Sequence, residues 1–358
     1  MTAARTYLDW NAAAPLRPEA RAAMLAAMDA AGNPSSVHAE GRAARAIIEG
    51  ARGQVARLVG CAPGEVIFTS GATEAAALAA VQFAGVAAAG IEHDCVHALT
   101  TEALAVDGTG RVLPPQSLAQ GTLVAVQAAN SETGLRQPLA AWDGVAPLLT
   151  DATQAAGKVA FRFADSPASF ALISTHKFGG PKGVGALIAR DGIELRPLLP
   201  GGGQELRRRS GTENVVGIAG FGAAAEAALR EFEDGTWERV ARVGNILESA
   251  LADAAPDLHV IGSDTQRLPN TSCFAVRGWK GETQVMQMDL AGFAVSAGSA
   301  CASGKVGPSR ALLAMGLDEE LAASAIRVSI GPTTTEAEVR AFAETWGQHY
   351  RRRRARAA

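Results

Sequence analysis

The chain has no long apolar run and no recognisable secretory segment. Its Ala-rich stretches are interrupted by Gly, Gln, Glu or Arg, and none approaches the ~20 apolar residues that a membrane-spanning helix needs. Residues 1–10 contain Arg5 and Asp9 but no apolar core of the kind that a signal peptide has. We therefore expect neither a membrane segment nor a secretory signal.

Charge of one sign is also lacking. The chain has 33 Lys and Arg against 36 Asp and Glu, which gives a formal net charge of −3. Such a balance provides no overall field that would attract nucleic acid or anionic lipid. We therefore expect neither nucleic acid nor a membrane among the partners.

Cysteine is scarce and scattered. The four residues Cys61, Cys95, Cys273 and Cys301 show no CxxC spacing, which argues against a metal site or a disulfide framework and predicts reduced thiols in the cytoplasm. Cys273 lies in an apolar run and Cys61 lies beside a helix end, so we expect both to be packing residues. Cys95 follows His93 by two residues, so a minor functional role is left open for it.

What is present indicates an α/β protein with a largely parallel sheet. The 358 residues are 48% hydrophobic and 19% charged, which suits one large domain and a smaller one. β-Branched runs alternate with Ala-rich helical stretches. The predicted strands are 65–69, 122–128, 148–151, 170–174, 184–189, 271–276 and 325–330, and the predicted helices are 72–85, 215–232, 238–255 and 336–350. Since the sequence becomes more charged after about residue 231, we expect a large domain over 15–230 and a small α+β domain formed by 1–14 and 231–358.

A strand-to-helix turn at residues 69–74 is a candidate anion site. Gly71 allows a tight turn, the amides that follow it lie at a positive helix end, and Thr73 adds a hydroxyl. Such a turn can hold a phosphate. A plain helix cap by Ser70 or Thr73 would explain the same residues.

Lys177 follows a predicted strand and precedes a glycine-rich turn. A lysine beside His176 and two hydroxyls suits a Schiff-base amine, because desolvation and nearby cations keep part of it neutral. Asp151 ends another strand, where a carboxylate could hold the N–H of a pyridinium ring. An Asp at a strand end is more often a cap and a lone Lys more often a surface group. In chain order, however, the three features form a set: a phosphate turn, an acid for the ring nitrogen and an amine.

Cys301 lies in a stretch of small residues. Residues 297–308 are rich in Gly, Ser and Ala, so they cannot pack a core and we expect a mobile loop. A thiol on such a loop could reach a cofactor and leave again. A buried packing cysteine fits these neighbours less well.

Taken together, these motifs resemble those of cysteine desulfurases of the NifS/IscS type, which are pyridoxal-phosphate (PLP) enzymes of the class V aminotransferase superfamily. The resemblance covers nearly the whole chain and follows the family's order. It rests on Tyr7-Leu8-Asp9, Gly32-Asn33-Pro34-Ser35-Ser36, the Thr73 turn, Glu92-His93, Asp151-Ala152-Thr153-Gln154, His176-Lys177, Arg209-Ser210-Gly211-Thr212, Ser299-Ala300-Cys301 and Arg327.

The resemblance implies a PLP-dependent transferase of fold type I, in which the small domain carries the catalytic-cysteine loop at about 296–308. Lys177 would form the Schiff base with PLP, His93 would stack on the ring and move protons, and Cys301 would be the nucleophile. The implied cofactor-binding residues are Ala72, Thr73, Asp151, Gln154, Ser174 and His176, with Thr212 supplied by the second subunit of a homodimer. The implied substrate-binding residues are Asn11 and Arg327, and no metal is expected.

The implied reaction removes sulfur from L-cysteine and gives L-alanine and a persulfide on Cys301. An iron–sulfur scaffold or a thiolation enzyme would accept the sulfur. The chain stops soon after Tyr350, without the longer C-terminal extension of housekeeping members, so the acceptor is left open. The alternatives are another class V enzyme, either a selenocysteine lyase or an aminotransferase, and a non-catalytic sulfur-relay scaffold.

The sequence departs from the family pattern at three places. Ser131 stands where relatives have an asparagine that touches the cofactor ring oxygen, and Asn130 is one position earlier, so either could make this contact. Residues 174–176 read Ser-Thr-His where Ser-Gly-His is commoner. The basic run Arg351–Arg354 is expected to be a solvated, disordered end, with contact to nucleic acid or an acidic partner as the alternative.

Overall fold

A computed structural model describes residues 5–298 and 307–357. The strands are β1 (Thr6–Tyr7), β2 (Val66–Thr69), β3 (Gly85–Ala89), β4 (Glu102–Leu104), β5 (Thr122–Ala125), β6 (Leu148–Asp151), β7 (Phe170–Ser174), β8 (Gly185–Ala189), β9 (His259–Val260), β10 (Thr271–Ala275), β11 (Phe293–Ala294), β12 (Ser296–Ala297) and β13 (Ala325–Ser329). The helices are α1 (Pro18–Met28), α2 (Ala39–Val59), α3 (Ala72–Ala80), α4 (Asp94–His97), α5 (Val215–Glu233), α6 (Thr236–Ala254), α7 (Gly281–Leu290), α8 (Arg310–Ala314), α9 (Glu319–Ala323) and α10 (Glu336–Ala357).

Seven strands form the central sheet in the order β2-β8-β7-β6-β5-β3-β4. β8 is antiparallel to both of its neighbours, and the other strands run in one direction. The sheet is therefore mostly parallel, as the sequence predicts. Parallel strands with helical crossovers place their carboxyl ends at one edge, which is where α/β proteins bind ligands.

The strands of this sheet are buried on both faces. In β7, Ala171 and Ile173 face the core that α1, α2 and α5 cover, whereas Phe170 and Leu172 face the core under α3. Successive side chains of a strand point to opposite faces, so a strand between two helical layers needs apolar residues at every position. This requirement explains the uninterrupted apolar run that predicts β7.

Two predicted elements extend too far, and strand β3 of the central sheet is not predicted. The predicted strands 148–151 and 170–174 are confirmed, but the strand predicted over 122–128 ends at Ala125. The helix predicted over 72–85 ends at Ala80, and Gly85 begins β3, which the sequence does not predict. β3 is rich in alanine, a strong helix former. Its position between β4 and β5 and its burial on both faces override that preference.

A second sheet has a core of its own. It is antiparallel in the order β12-β13-β10-β9, and α6 and α10 pack beside it. The largest side chains of this core are Trp237, Trp279 and Trp346. The N-terminal segment also belongs here, since β1 pairs with β11 and Asp9 bridges to Ser329.

The arginine-rich C-terminal run is helical, so the prediction of a disordered end is wrong. Helix α10 extends to Ala357. Tyr350 stacks on Trp346 with ring centroids 5.8 Å apart, and Arg354 Nη1 lies 3.4 Å from the Asp257 carboxylate. Arginine has a high helix propensity, so an anchored helix continues easily through this run. In the described part of the chain, no helix is both long and apolar enough to cross a bilayer.

We predict that Gly180→Ala destabilises the fold by about 1–3 kcal/mol, the usual cost of overpacking a core. A Cβ at residue 180 would lie 1.7 Å from Thr175 Oγ1 and 3.2 Å from Ala224 Cβ. Urea unfolding measures this loss, and combination with Thr175→Ala should recover part of it. Gly50→Ala in α2 is the control, because a Cβ there meets open space and should be neutral or stabilising. Equal effects at both glycines would contradict the proposed clash.

Candidate active site

A cavity of about 440 Å³ lies at the carboxyl edge of the central sheet. Its size is within the range of small-molecule sites. The cavity is lined by Ala12, Ala13, Ser70, Gly71, Ala72, Thr73, His93, Gln127, Ala129, Ser131, Asp151, Thr153, Gln154, Ser174, His176, Lys177, Lys182 and Gly183. Most of the predicted site residues are among them.

The topology explains why residues far apart in sequence meet here. The strands β2, β3, β5, β6 and β7 run in the same direction, so their carboxyl ends share one edge. The segments that follow them carry, respectively, the 70–73 turn, His93, Gln127, Asp151 and the 174–177 segment. The predicted order of phosphate turn, ring acid and amine is thus also a spatial cluster.

One end of the cavity is formed by the N-terminus of α3. Residues 70–73 line it, and the first amides of a helix have no carbonyl partner within the helix. The Glu74 carboxylate accepts a hydrogen bond from the Ser70 amide at 2.7 Å and from Arg209 Nε at 2.8 Å. The carboxylate is therefore occupied by these donors, which leaves the positive end of the helix to an anion in the cavity.

His176 contributes an unsatisfied polar atom beside this end. In the described part of the chain its buried Nδ1 has no hydrogen-bond partner, and the same is true of Thr153 Oγ1. Burial and, to a smaller extent, the neighbouring Lys177 and Lys182 lower the pKa of His176 to about 4. His176 is therefore neutral at pH 7. Two unsatisfied polar groups at the cavity indicate that it is built for a polar ligand.

Lys177 ends the short 3₁₀ turn Thr175–Lys177 that follows β7. Its Nζ donates to the carbonyl oxygens of Asn11 at 2.8 Å and Ala12 at 3.0 Å. The amine thus lies between the sheet and the N-terminal segment. Thr175, the residue that departs from the family pattern, is fully buried against Gly180 and is not part of the cavity lining.

Asp151 and Gln154 occupy the floor of the cavity. Asp151 Oδ1 accepts the Thr153 amide at 2.9 Å, which fixes the carboxylate at the end of β6. Gln154 Nε2 donates to the Asn11 carbonyl at 2.9 Å, and Gln154 Oε1 accepts from Lys158 Nζ at 2.6 Å. Both cavity residues are nearly inaccessible to solvent, so their orientation is set by these bonds.

His93 caps the N-terminus of helix α4 at the side of the cavity. Its Nδ1 accepts the Cys95 amide at 3.2 Å and lies 3.1 Å from Cys95 Sγ. A ring nitrogen that accepts a backbone N–H carries no proton, which places the proton of the neutral ring on Nε2. Arg310 donates to the carbonyl oxygens of Gly90 and Glu92 on the same turn.

Glu92 lies behind the cavity wall and is 2% exposed. Its Oε1 accepts the Gln127 amide at 2.8 Å. Burial raises the pKa of Glu92 to about 8, and the nearby Asp151 carboxylate raises it too. Glu92 is therefore largely protonated at pH 7, so Asp151 does not face a second full negative charge.

Arg327 lies in β13 of the second sheet, outside the set of residues that line the cavity. Its Nη2 donates to Asp9 Oδ1 at 2.7 Å, and its Nη1 donates to the Ser131 carbonyl at 2.9 Å. Its buried Nε has no partner in the described residues. The guanidinium is thus adjacent to Ser131, which does line the cavity.

The side chain of Asn11 is buried and its polar atoms are all bonded. Nδ2 donates to Thr271 Oγ1 and the Ser131 carbonyl, while Oδ1 accepts from Asn270 and Lys158. Only its main-chain carbonyl contacts Lys177. Asn11 therefore links the N-terminal segment to the second sheet and to the floor of the cavity through hydrogen bonds.

Ser131 and Asn130, which the sequence does not distinguish, have different positions. Ser131 lines the cavity. Asn130 is buried, its Oδ1 accepts from Glu132, Thr133 N and Thr133 Oγ1, and its Nδ2 donates to the Ile91 carbonyl. The side chain of Asn130 is thus engaged by its own loop and by the Ile91 carbonyl, and it does not line the cavity.

Three of the predicted site residues, Asn11, Thr212 and Arg327, are not among the residues that line the cavity. Thr212 is exposed and does not line it in this single chain. Cys301 lies outside the described residues, as does most of the predicted 296–308 loop. Of the other cysteines, Cys61 and Cys273 are the packing residues that the sequence predicts, and burial raises the pKa of each thiol to about 12.

Sequence reasoning missed four residues that belong to the site or support it. Gln127 and Thr153 line the cavity and follow the carboxyl ends of strands, a position that could have identified them. Lys182 lies in the glycine-rich turn after Lys177 and lines the cavity, and the sequence pattern assigns it no role. Lys158 was missed entirely, because a lysine in a turn is normally exposed and this one is 3% exposed.

Comparisons with known proteins give the family. The model of the aminotransferase class-V family matches residues 6–342. The chain belongs to this family. A cysteine desulfurase of Cereibacter sphaeroides is 40% identical over 94% of this chain and 93% of that protein, and the cysteine desulfurase IscS of Dictyoglomus turgidum is 36% identical over 93% and 91%.

Solved structures agree with the family assignment. A NifS-like protein from Rickettsia africae is 30% identical, has a TM-score of 0.89, and covers 97% of this chain and 99% of its own. SspA in complex with cysteine is 28% identical, with a TM-score of 0.76 over 92% of this chain and 100% of its own. The resemblance inferred from the motifs is therefore confirmed, as is fold type I. The class-V family is PLP-dependent.

The raised pKa of Glu92 predicts a pH dependence of stability. An unfolded glutamate titrates near ~4.3, so between about pH 4.3 and 8 the folded chain binds one more proton at this site. The contribution of Glu92 to the free energy of unfolding must then fall as the pH rises through this window. Glu92→Gln removes the titration but keeps an acceptor for Gln127, so its stability should fall less. Urea unfolding at several pH values measures both slopes.

Glu344→Gln is the matched control, because Glu344 is exposed on α10. We expect it to keep the slope of the unmodified chain. Parallel curves for Glu92→Gln and the unmodified chain would show that the buried carboxyl does not titrate in this window.

Proposed function

We propose that this chain is a PLP-dependent cysteine desulfurase that takes the sulfur of L-cysteine, releases L-alanine and carries the sulfur as a persulfide on Cys301. The observation that carries the proposal is one cavity with Lys177, Asp151 and His93 on its walls and the N-terminus of α3 at one end. The family assignment and the named relatives support the same activity. The comparisons do not favour an aminotransferase, a selenocysteine lyase or a non-catalytic scaffold.

The cavity suits PLP in charge and in size. Its α3 end would hold the phosphate through Ala72, Thr73, Ser174 and His176, since a helix N-terminus and a neutral histidine both donate to anions. The orphaned Nδ1 of His176 supports this assignment. Asp151 would bind the ring nitrogen, and Gln154, with Ser131 rather than Asn130, would face the ring oxygen. When bound, PLP supplies an electron sink that stabilises negative charge at the substrate Cα.

Two side chains are placed to move protons. Lys177 Nζ can take the proton from the substrate Cα, because it reaches into the cavity from the end of β7 and is held there by two carbonyls. His93 has its proton on Nε2, since Nδ1 accepts the Cys95 amide. Its Nε2 can therefore donate to the substrate, and the ring would stack on the cofactor.

Arg327 would bind the substrate carboxylate. Its fork is suited to bidentate binding, and its contact with the Ser131 carbonyl places it next to the cavity. Asp9 holds the guanidinium in place before substrate arrives. Asn11 would act at the same end, through the main-chain segment that it anchors.

The sulfur transfer needs no external oxidant, because the carbon skeleton of the substrate takes up the electron pair. Cys301 Sγ, as a thiolate, attacks the substrate sulfur; an S–S bond forms and the C–S bond of the substrate breaks. The electron pair of that bond remains on the carbon skeleton, which is protonated to alanine. The described residues that flank this segment support the assignment: Ser309 donates to Glu132 Oε2, and a Cβ on Gly298 would lie 2.9 Å from the same oxygen. Glu132 adjoins Ser131 at the cavity.

The proposal includes the assembly and the setting of the enzyme. It works as a homodimer in which Thr212 of one chain completes the phosphate site of the other. Residues 15–230 form the PLP-binding domain, and 1–14 with 231–358 form the domain that carries Cys301. The enzyme acts in the cytoplasm and passes sulfur to an iron–sulfur scaffold or a thiolation enzyme.

We predict that Lys177 is the residue to which PLP is attached. Borohydride reduction of PLP-loaded protein should fix the cofactor covalently on the peptide that contains Lys177, as read by mass spectrometry. Lys177→Ala should lose both this label and the yellow absorption of the bound cofactor. Lys182→Ala tests the second lysine of the cavity and should still be labelled at Lys177. Label on Lys182 or Lys158 in the unmodified chain would refute the assignment.

We predict that Cys301→Ser retains PLP and binds L-cysteine but forms no persulfide and releases no sulfide, because serine offers no thiolate. Incubation with L-cysteine without reductant, followed by mass spectrometry, should show one added sulfur on Cys301 of the unmodified protein. Cys95→Ser is the control for the thiol next to His93 and should still give the Cys301 persulfide. Sulfide release by Cys301→Ser at the unmodified rate would rule out this nucleophile.

A further inference from the structure

Lys158 is a buried lysine that the proposed reaction does not use. It follows the turn that contains Gln154, and it is 3% exposed although no carboxylate pairs with it in the described part of the chain. Burying an unpaired ammonium is costly. Burial, with Lys177 and Arg327 nearby, holds the pKa of the Lys158 amine well below its usual range.

The hydrogen bonds of Lys158 match a neutral amine. Its Nζ donates to Gln154 Oε1 at 2.6 Å and to Asn11 Oδ1 at 3.3 Å. A neutral amine has two N–H donors, and the described residues offer two acceptors. An ammonium would have a third N–H donor without an acceptor. The hydrogen-bond count therefore favours the neutral amine, in addition to the cost of burying a charge.

These bonds decide which way the Gln154 amide points. An amine donor requires an acceptor, so it holds Oε1 on the Lys158 side and leaves Nε2 on the other. One N–H of Nε2 donates to the Asn11 carbonyl, which is the carbonyl that also accepts from Lys177. The second N–H of Gln154 Nε2 has no partner among the described residues. Because Gln154 lines the cavity, this N–H is available to a ligand there.

The same amine also fixes the N-terminal segment. Asn11 Oδ1 accepts from Lys158 and from Asn270 Nδ2, and Asn11 Nδ2 donates to Thr271 and the Ser131 carbonyl. Loss of Lys158 would leave buried acceptors on Gln154 and Asn11 less well satisfied. Such groups reorient or admit water, because an unsatisfied buried acceptor is costly.

We propose that Lys158 is a positioning residue, a neutral hydrogen-bond donor that holds the Gln154 amide with its N–H groups toward the cavity and holds Asn11 against Lys177. Its effect on cofactor binding rests on the proposed function, whereas its effect on the N-terminal segment does not. Gln154 thereby presents a donor, rather than an oxygen, to an anionic ring oxygen.

The test compares Lys158→Met with Lys280→Met, the same change at an exposed lysine. In the cofactor-free protein, Lys158→Met should raise hydrogen exchange of the amides of residues 9–14 by about tenfold, the usual worth of one hydrogen bond. In the loaded protein it should weaken PLP binding about tenfold and shift the absorption maximum of bound PLP. Lys280→Met should change none of these.

Two further variants separate positioning from a purely structural role. Lys158→Gln keeps an N–H donor and should restore part of the exchange protection and of the PLP affinity. In a Gln154→Leu background, Lys158→Met should cost little further PLP affinity, because the two residues act through each other. Additive losses would contradict the proposal, as would a Lys158→Met protein with a lower unfolding midpoint but unchanged exchange at 9–14 and an unchanged spectrum.

If Lys158→Met does not fold, Lys158→Gln decides the matter through the same exchange measurement. If the unmodified protein fails to bind PLP, the proposed function is wrong, and the exchange comparison in the cofactor-free protein still tests Lys158. The two failures are therefore distinguishable.

Discussion

The main-chain carbonyl of Asn11 is the point on which the geometry of the cavity depends. It accepts from Lys177 Nζ and from Gln154 Nε2, so one oxygen sets the positions of two cavity side chains. The Asn11 side chain bonds to Thr271 of the second sheet and to Asn270, which precedes that strand. A carbonyl held from both sides cannot shift without moving all of these groups. The N-terminal segment is therefore part of the active site, although it is distant in sequence from every other part of it.

The charge of the cavity depends on three titratable groups that burial keeps uncharged. Glu92, His176 and Lys158 are titratable groups at or behind the cavity walls, and burial moves the pKa of each toward the uncharged form. Burial therefore leaves a cavity with the Asp151 side chain at one end and the N-terminus of α3 and lysine side chains at the other. An electrostatic axis of this kind orients a ligand that carries a phosphate at one end and a basic ring nitrogen at the other.

The sequence predicted the polar side chains of the cavity better than it predicted the bounds of helices and strands. Asp151, Lys177 and the 70–73 turn could be found because a polar residue after a buried strand is conspicuous, and the parallel topology then brings them together. β3 could not be found, since its alanines favour a helix and only its place in the sheet makes them a strand. The helical Arg351–Arg354 run depends on packing of Tyr350 against Trp279 and on the contact of Arg354 with Asp257, and both partners are distant in sequence. Lys158 could not be found because its burial follows from Asn11, 147 residues away.

The reversed strand β8 has a consequence for the shape of the site. It lies between β2 and β7, so the turn after β2 and the turn that carries Lys177 are two strand spacings apart, roughly 10 Å. This separation of the two turns is about the length of a substituted six-membered ring with its side arm. Between the two turns, β8 begins with Gly185, and a Cβ on this residue would lie 2.7 Å from Gly71 Cα. A side chain at residue 185 would push the 70–73 turn away from β8, so the spacing of the two turns depends on a strand whose residues do not line the cavity.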